Sequence, residues 1–180
     1  MTRILLCASA SVAVYKACDL ASKLTQAGHE VRAVLTRRAA ELVSPQLFEA
    51  VSGQPAATSE FGDARRGAMD HIELARWAEL VVVAPCTADL AARLALGLGG
   101  DLVSTCLLAV EPRVPRLLCP AMNPTMLAHP AVARNLARLG EDGWELVEPE
   151  AGHMACGEAG TGRLAEPHAI VARIEERLRR

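Results

Sequence analysis

The chain has 180 residues, enough for one domain with a substantial core and too few for two ordinary ones. A hydrophobic share of 51% with a net charge of −2 excludes a disordered chain and a protein built electrostatically for nucleic acid. Two Trp, two Phe and one Tyr are too few aromatic rings for a base-stacking platform.

Short apolar runs alternate with amphipathic stretches. Ile4–Ala8 reads as a first strand and Val12–Ala27 as a helix that Gly28 ends. Glu30–Leu35 is a second strand, with Thr36 opening the next turn. Residues 37–52 read as helical with a break near Pro45, and 53–69 as an irregular excursion rich in Gly, Pro, Ser and charge. A short helix is expected over His71–Ala78, a strand over Leu80–Ala84 and a helix over Ala88–Leu98. Leu102–Val110 reads as another helix, Val114–Leu118 as a strand, 130–139 as a helix and Trp144–Val147 as a last short strand. Residues 149–165 read as a mobile glycine-rich loop rather than a packed element, and Ala169–Arg179 as the closing helix. Strands of Val and Leu without alternation imply burial on both faces. The expectation is one Rossmann-like, three-layer α/β/α domain spanning 1–180, with a mainly parallel sheet.

No run approaches the roughly 20 apolar residues that span a bilayer. The first apolar run is too short for a signal-peptide core, so a soluble, cytoplasmic protein is expected. Six cysteines (7, 18, 86, 106, 119 and 156) form no C-x-x-C pair and no zinc spacing, so no metal is expected. Cys7, Cys106 and Cys119 lie in apolar runs and read as small core residues.

In an open parallel sheet, ligands bind beyond the carboxyl ends of the strands. Cys119-Pro-Ala-Met-Asn-Pro-Thr-Met126 places Asn123 there, with Pro120 and Pro124 restricting the backbone on either side. The same residues would also serve as punctuation, ending a strand and capping the next helix. Ser9-Ala10-Ser11-Val12 after the first strand suits a phosphate at a helix N-terminus, or a simple cap. The missing G-x-G-x-x-G pattern argues against a dinucleotide and leaves a mononucleotide open. Thr36, and Thr87-Ala88-Asp89, bring hydroxyls and a carboxylate to the same edge. His71 opens its helix toward that edge with Arg76 further along, a pairing that suits an anionic substrate or a surface helix start. Cys156 sits in the glycine-rich loop, either as an available thiol or as an incidental lid residue.

In this order, Ala8-Ser-Ala-Ser-Val-Ala-Val-Tyr-Lys16, His71-Ile-Glu-Leu-Ala-Arg-Trp77, Ala84-Pro-Cys-Thr-Ala-Asp89, Pro120-Ala-Met-Asn-Pro-Thr-Met126 and Ala155-Cys-Gly-Glu-Ala-Gly-Thr-Gly-Arg163 resemble the flavin-dependent cysteine decarboxylase family over nearly the whole chain. The pattern is closest to its coenzyme A branch. The resemblance implies a flavodoxin-like fold and FMN at the carboxyl edge. Ala10, Ser11 and Val12 would border the flavin phosphate, Thr36, Arg37 and Arg38 would enter the same site, and Thr87, Ala88 and Asp89 would line the crevice. It makes His71, Asn123 and Cys156 the catalytic residues. Asn123 would hold the substrate carboxylate beside Met122 and Ala155, Cys156 would donate a proton, and Arg76 would add an anion contact.

The implied reaction turns (R)-4′-phospho-N-pantothenoylcysteine into 4′-phosphopantetheine through a thioaldehyde and an ene-thiolate, the flavin taking and returning a hydride. The alternatives are decarboxylation of a peptide's C-terminal cysteine and a non-catalytic flavin-binding regulatory subunit. The presence of all three catalytic residues argues against the second. The expected partners are a small-molecule substrate and further copies of the chain, as a homotrimer or dodecamer with the active site between protomers. Ala10, Leu127 and Leu164 depart from the family's usual Gly, aromatic and Met. Nothing resembling the synthetase domain fused to many relatives follows, so a stand-alone decarboxylase is expected.

Overall fold

The computed structural model describes residues 1–61, 69–153, 155 and 157–179. Five strands form one parallel sheet in the order β2-β1-β3-β4-β5: β1 (Arg3–Ala8), β2 (Glu30–Leu35), β3 (Leu80–Cys86), β4 (Arg116–Pro120) and β5 (Glu145–Leu146). This 2-1-3-4-5 order is that of doubly wound flavodoxin-like sheets, and its direction of winding reverses between β1 and β3. The expected fold class holds.

Side-chain alternation along β1 explains why the sheet needs cover on both faces. Ile4, Leu6 and Ala8 enter a core with Leu20, Leu24, Phe48, Ile170 and Ile174. That core is closed by α1 (Tyr15–Gln26), α3 (Pro45–Ser52) and α9 (Pro167–Leu178). Leu5 and Cys7 enter the opposite core with Val81, Leu90, Val103, Cys106, Leu118 and Leu136. Here the cover is α4 (Asp70–Trp77), α5 (Ala88–Leu96), α6 (Leu102–Ala109) and α8 (Pro130–Glu141). Every residue of β3 is buried, as an interior parallel strand requires. Cys7, Cys86, Cys106 and Cys119 are fully buried, and burial pushes the Cys106 thiol up to about 12.

Local chemistry sets the element ends. The expected break at Pro45 separates α2 (Arg37–Leu42) from α3, with Ser44 capping the second helix and Pro45 in its first turn. Gly97 takes φ +68 at the end of α5, a backbone state that residues with a Cβ avoid. The helix expected from Val12 opens as a 3-10 turn, Val12–Val14, before α1 begins.

Two elements differ from expectation. Pro124–Ala128 forms a short helix, α7, capped by Asn123. Residues 149–165 are not a loop: β6 (Glu150–His153) and β7 (Ala159–Arg163) pair antiparallel as a hairpin beside the main sheet. The hairpin is bound to the Asn123 turn through Met122 N–H, which donates to Gly162 O at 3.0 Å. Gly160 permits the approach, since a Cβ there would stand 2.8 Å from Pro124 Cγ. Among the described residues no helix is long and apolar enough to cross a membrane.

Candidate active site at the carboxyl edge of the sheet

The point where the sheet reverses is secured by one small side chain. Ser9, directly after β1, is buried and donates from Oγ to Pro85 O at 2.8 Å, while its Oγ accepts from Thr87 N at 2.9 Å. Ser9 N–H also donates to Pro85 O, at 3.1 Å. The two turns that must face a ligand are thereby held together without any charge.

Three further hydroxyls act as caps around this point. Ser11 Oγ accepts from Ala13 N, Thr36 Oγ1 from Ala39 N and Thr87 Oγ1 from Leu90 N. Each satisfies only one of a helix's orphan N–H groups, leaving others at the edge to be met from outside. The cap reading of these residues is realised.

A cleft of about 370 Å³ opens here, lined by Ser9, Ala10, Thr36, Arg37, Arg38, Thr87, Ala88 and Asp89 among others. It unites all but two of the nine residues expected to hold a cofactor. Ser11 caps the wall beside it, and Val12 faces the adjoining cleft. Asp89 is held by Arg93 Nε at 2.9 Å. Arg37 and Arg38 stand exposed in the first turn of α2, where the helix dipole favours acids over bases. Their placement is favourable only opposite an anion.

A second cleft, of about 400 Å³, begins further along the same turn: Val12 and Ala13 line it, where Ser9 and Ala10 line the first. Val12, Lys16, Met122, Asn123, Ala155 and Arg163 line it. Asn123 Oδ1 accepts from the backbone N–H of Thr125 (2.8 Å) and Met126 (3.4 Å), which is the capping role. With the oxygen committed, the amide can present only its N–H₂ to the cleft, so it selects an acceptor. That acceptor is already a carboxylate: Asn123 Nδ2 donates to Glu158 Oε2 at 2.6 Å.

Sequence reading missed two charged groups in this cleft, Lys16 and Arg163, and the Glu166 carboxylate that holds them. Lys16 is buried, and its Nζ donates to Glu166 Oε1 at 2.6 Å; Arg163 Nη2 donates to the same oxygen at 3.2 Å. The Lys16 hydrogen bond holds the Glu166 carboxyl below the usual carboxylate range. Lys16 and Arg163 lie within the motifs quoted above, yet no spacing rule pairs residues 150 positions apart.

His71 joins neither cleft of its own chain. It stands at the start of α4 with Nδ1 2.9 Å from Glu60 Oε2, close enough for an ion contact but not aligned as a hydrogen bond. Arg76 corrects an expectation. It lines a different cleft with Arg3, Glu79, Glu111 and Arg113, at the amino edge of the sheet. The reason is geometric: α4 runs back toward the start of β3, so five residues carry Arg76 about 7.5 Å down the axis and about 140° around it. Cys156 lies outside the described residues, as do 62–68 of the excursion.

A sheet of order 2-1-3-4-5 whose reversal point opens into a basic cleft defines a mononucleotide-binding α/β protein. The family model described as Flavoprotein matches residues 1–179, and the chain belongs to that family. A relative from Bacillus subtilis (strain 168), the coenzyme A biosynthesis bifunctional protein CoaBC, is 44% identical over 96% of this chain and 42% of its own length. The chain thus spans less than half the length of such curated relatives. Among solved structures, a cysteine-to-serine mutant of PPC decarboxylase complexed with pantothenoylaminoethenethiol superposes with a TM-score of 0.87 at 31% identity, covering 99% of both chains. The FMN binding protein AtHal3 gives 0.85 at 32%, covering 97% of this chain and 95% of its own.

Proposed function

We propose that the protein is an FMN-dependent decarboxylase of (R)-4′-phospho-N-pantothenoylcysteine, yielding 4′-phosphopantetheine for coenzyme A synthesis. The observation that carries this reading is the Asn123 amide, whose oxygen is tied to its own helix and whose N–H₂ already holds a carboxylate, in a cleft that begins on the same Ser9–Ala13 turn as the basic one. The names of the relatives agree with it.

The carboxyl-edge residues fit FMN. Arg37 and Arg38 answer its phosphate, the Ser9–Ala13 and Thr87–Asp89 turns offer backbone N–H groups, and Asp89 offers an acceptor for hydroxyls. When bound, FMN supplies a reversible hydride acceptor, the electron sink that loss of CO₂ from a cysteine carboxylate needs.

The chain's own residues do the rest. Asn123 grips the carboxylate that leaves, with Met122 and Ala155 as the adjoining walls. Glu166 holds Lys16 and Arg163 at the cleft wall with their charge only half balanced, which favours an anionic substrate. His71 handles a proton of the substrate, and Cys156 returns one to carbon.

Since His71 lies outside its own chain's clefts, the site is completed by a neighbouring copy in a homotrimer or a larger assembly such as a dodecamer. Val12 (68% exposed), Tyr15 (61%) and Met126 (48%) are apolar and exposed around the clefts, which suits such a contact.

Incubation of FMN-loaded protein with phosphopantothenoylcysteine should release CO₂ and 4′-phosphopantetheine, whereas a peptide ending in cysteine should remain intact. Absence of turnover on the first, or preference for the second, rejects the reading. Co-expression of His71→Gln and Asn123→Asp chains tests the shared site. Each variant alone is inactive, and random mixing gives about one site in four both wild-type residues. A mixture as inactive as its parents rejects it.

A further inference from the structure

The Asn123 amide is engaged on both sides in this chain, and on its outer side it meets the carboxylate of Glu158. Glu158 lies one residue before β7, and its Oε2 accepts from Asn123 Nδ2 at 2.6 Å. Nothing about the cap requires it, because the Asn123 oxygen alone bonds Thr125 and Met126 N–H. The position of Glu158 is set by its strand. β7 is tied to the Asn123 turn by the Met122 N–H to Gly162 O bond and rests with Gly160 against Pro124. Arg163, at its end, is held by Glu166.

We propose that Glu158 is an internal competitor for the carboxylate seat on Asn123. It is an anion of the same chemical class as the group that the substrate must place there, and it lowers the cleft's affinity for carboxylate-bearing ligands relative to those without the carboxylate. This inference rests on the reading of Asn123 as the grip for the substrate carboxylate.

The consequences follow from what each ligand carries. A substrate with a carboxylate exchanges one charge-assisted hydrogen bond for another and displaces Glu158 at little net cost. Glu158 is exposed, so its bond to Asn123 is worth little in water and yields readily. Once CO₂ has left, the product has no acceptor for the amide. Nothing on the product then displaces Glu158, and its bond to Asn123 Nδ2 re-forms. The same contact therefore taxes substrate entry lightly and favours product exit. No bond is made or broken in the exchange, only the partner of one N–H.

The test compares two non-reacting ligands that differ by the carboxylate alone. They are 4′-phospho-N-pantothenoylserine, with a hydroxyl in place of the thiol, and its counterpart lacking the carboxylate. Both are titrated calorimetrically into FMN-loaded wild type, Glu158→Gln and Glu158→Ala. Removing the competing charge should tighten the carboxylate ligand by about fivefold. The carboxylate-free ligand should change by less than about twofold and thereby report an intact cleft. The KM for substrate should fall in step. No change, an equal change for both ligands, or weaker binding of the carboxylate ligand overturns the proposal. If wild type binds both ligands and the variants keep its ratio, the competitor role alone falls. If wild type binds neither, the decarboxylase reading falls and takes this proposal with it.

Discussion

At the amino edge of the sheet, acids and bases meet one another. Glu79 accepts from both the backbone N–H and the guanidinium of Arg3, and Glu111 pairs with Arg113 at 2.7 Å. The backbone bond from Arg3 holds the Glu79 carboxyl below its usual range. At the carboxyl edge the same sheet shows Arg37 and Arg38 exposed at a helix start, hydroxyls spent on single caps and an amide turned outward. A parallel sheet makes this difference unavoidable. Its crossover connections start helices at one end, where N–H groups are left over, and finish them at the other, where carbonyls are. The first end needs an external anion, while surface charges can settle the second.

The sharpest way to break that contrast is Asn123→Asp. Aspartate caps a helix as well as asparagine does, so stability should stay within about 0.5 kcal/mol. The outward donor is lost, and kcat/KM should fall by at least about a hundredfold. A variant that is inactive because it is unfolded would show in thermal melting and refute the separation of the two roles.

Next in size is the arginine comparison. Arg37→Ala combined with Arg38→Ala should weaken FMN binding by about tenfold or more, read from quenching of flavin fluorescence. Arg76→Ala, at the amino edge, should leave both FMN binding and kcat/KM within about twofold. Equal losses at the two edges would erase the distinction.

Ser9→Ala removes a buried donor to Pro85 O and the acceptor of Thr87 N–H. A cost of about 1–3 kcal/mol is expected in urea denaturation, with flavin affinity falling alongside.

The smallest effect concerns pH. Glu166 has a lowered carboxyl pKa in the folded protein, because Lys16 hydrogen bonds to it. Its stabilising contribution is therefore complete above the unfolded value of about 4.3, and it is lost as pH falls through the folded value. Glu166→Gln should destabilise at neutral pH by at most about 1 kcal/mol, since the carboxylate is partly exposed. Denaturation well below pH 4 should find variant and wild type equal. A difference that persists in acid would show that packing, not charge, carries the effect.

The strands and most helices were legible because their signals are local. A β-branched apolar run such as Leu80–Ala84, bounded by turn residues, reads as a buried strand, and Ser44-Pro45 marks a helix start by its own chemistry. The hairpin was illegible for the opposite reason. Glu150–His153 and Ala159–Arg163 have no apolar alternation, and their glycines read as freedom when Gly160 is in fact needed for contact with Pro124. The place of Arg76 is not legible from its nearness to His71 in sequence, because five residues turn a helix well away from its starting face. Lys16 and Glu166 were not paired because the two residues meet only after α1 and α9 pack on one face of the sheet.

By itself the sequence determined a doubly wound parallel sheet, the family and the turns that reach its carboxyl edge. Each of these depends on residues that are neighbours along the chain. Only the tertiary structure decided which of those turns share a cleft, that Asn123 spends its oxygen on a cap and its N–H₂ on a carboxylate, and that Arg76 faces away. Those outcomes depend on the direction in which packed elements run, and no local pattern of side chains encodes it.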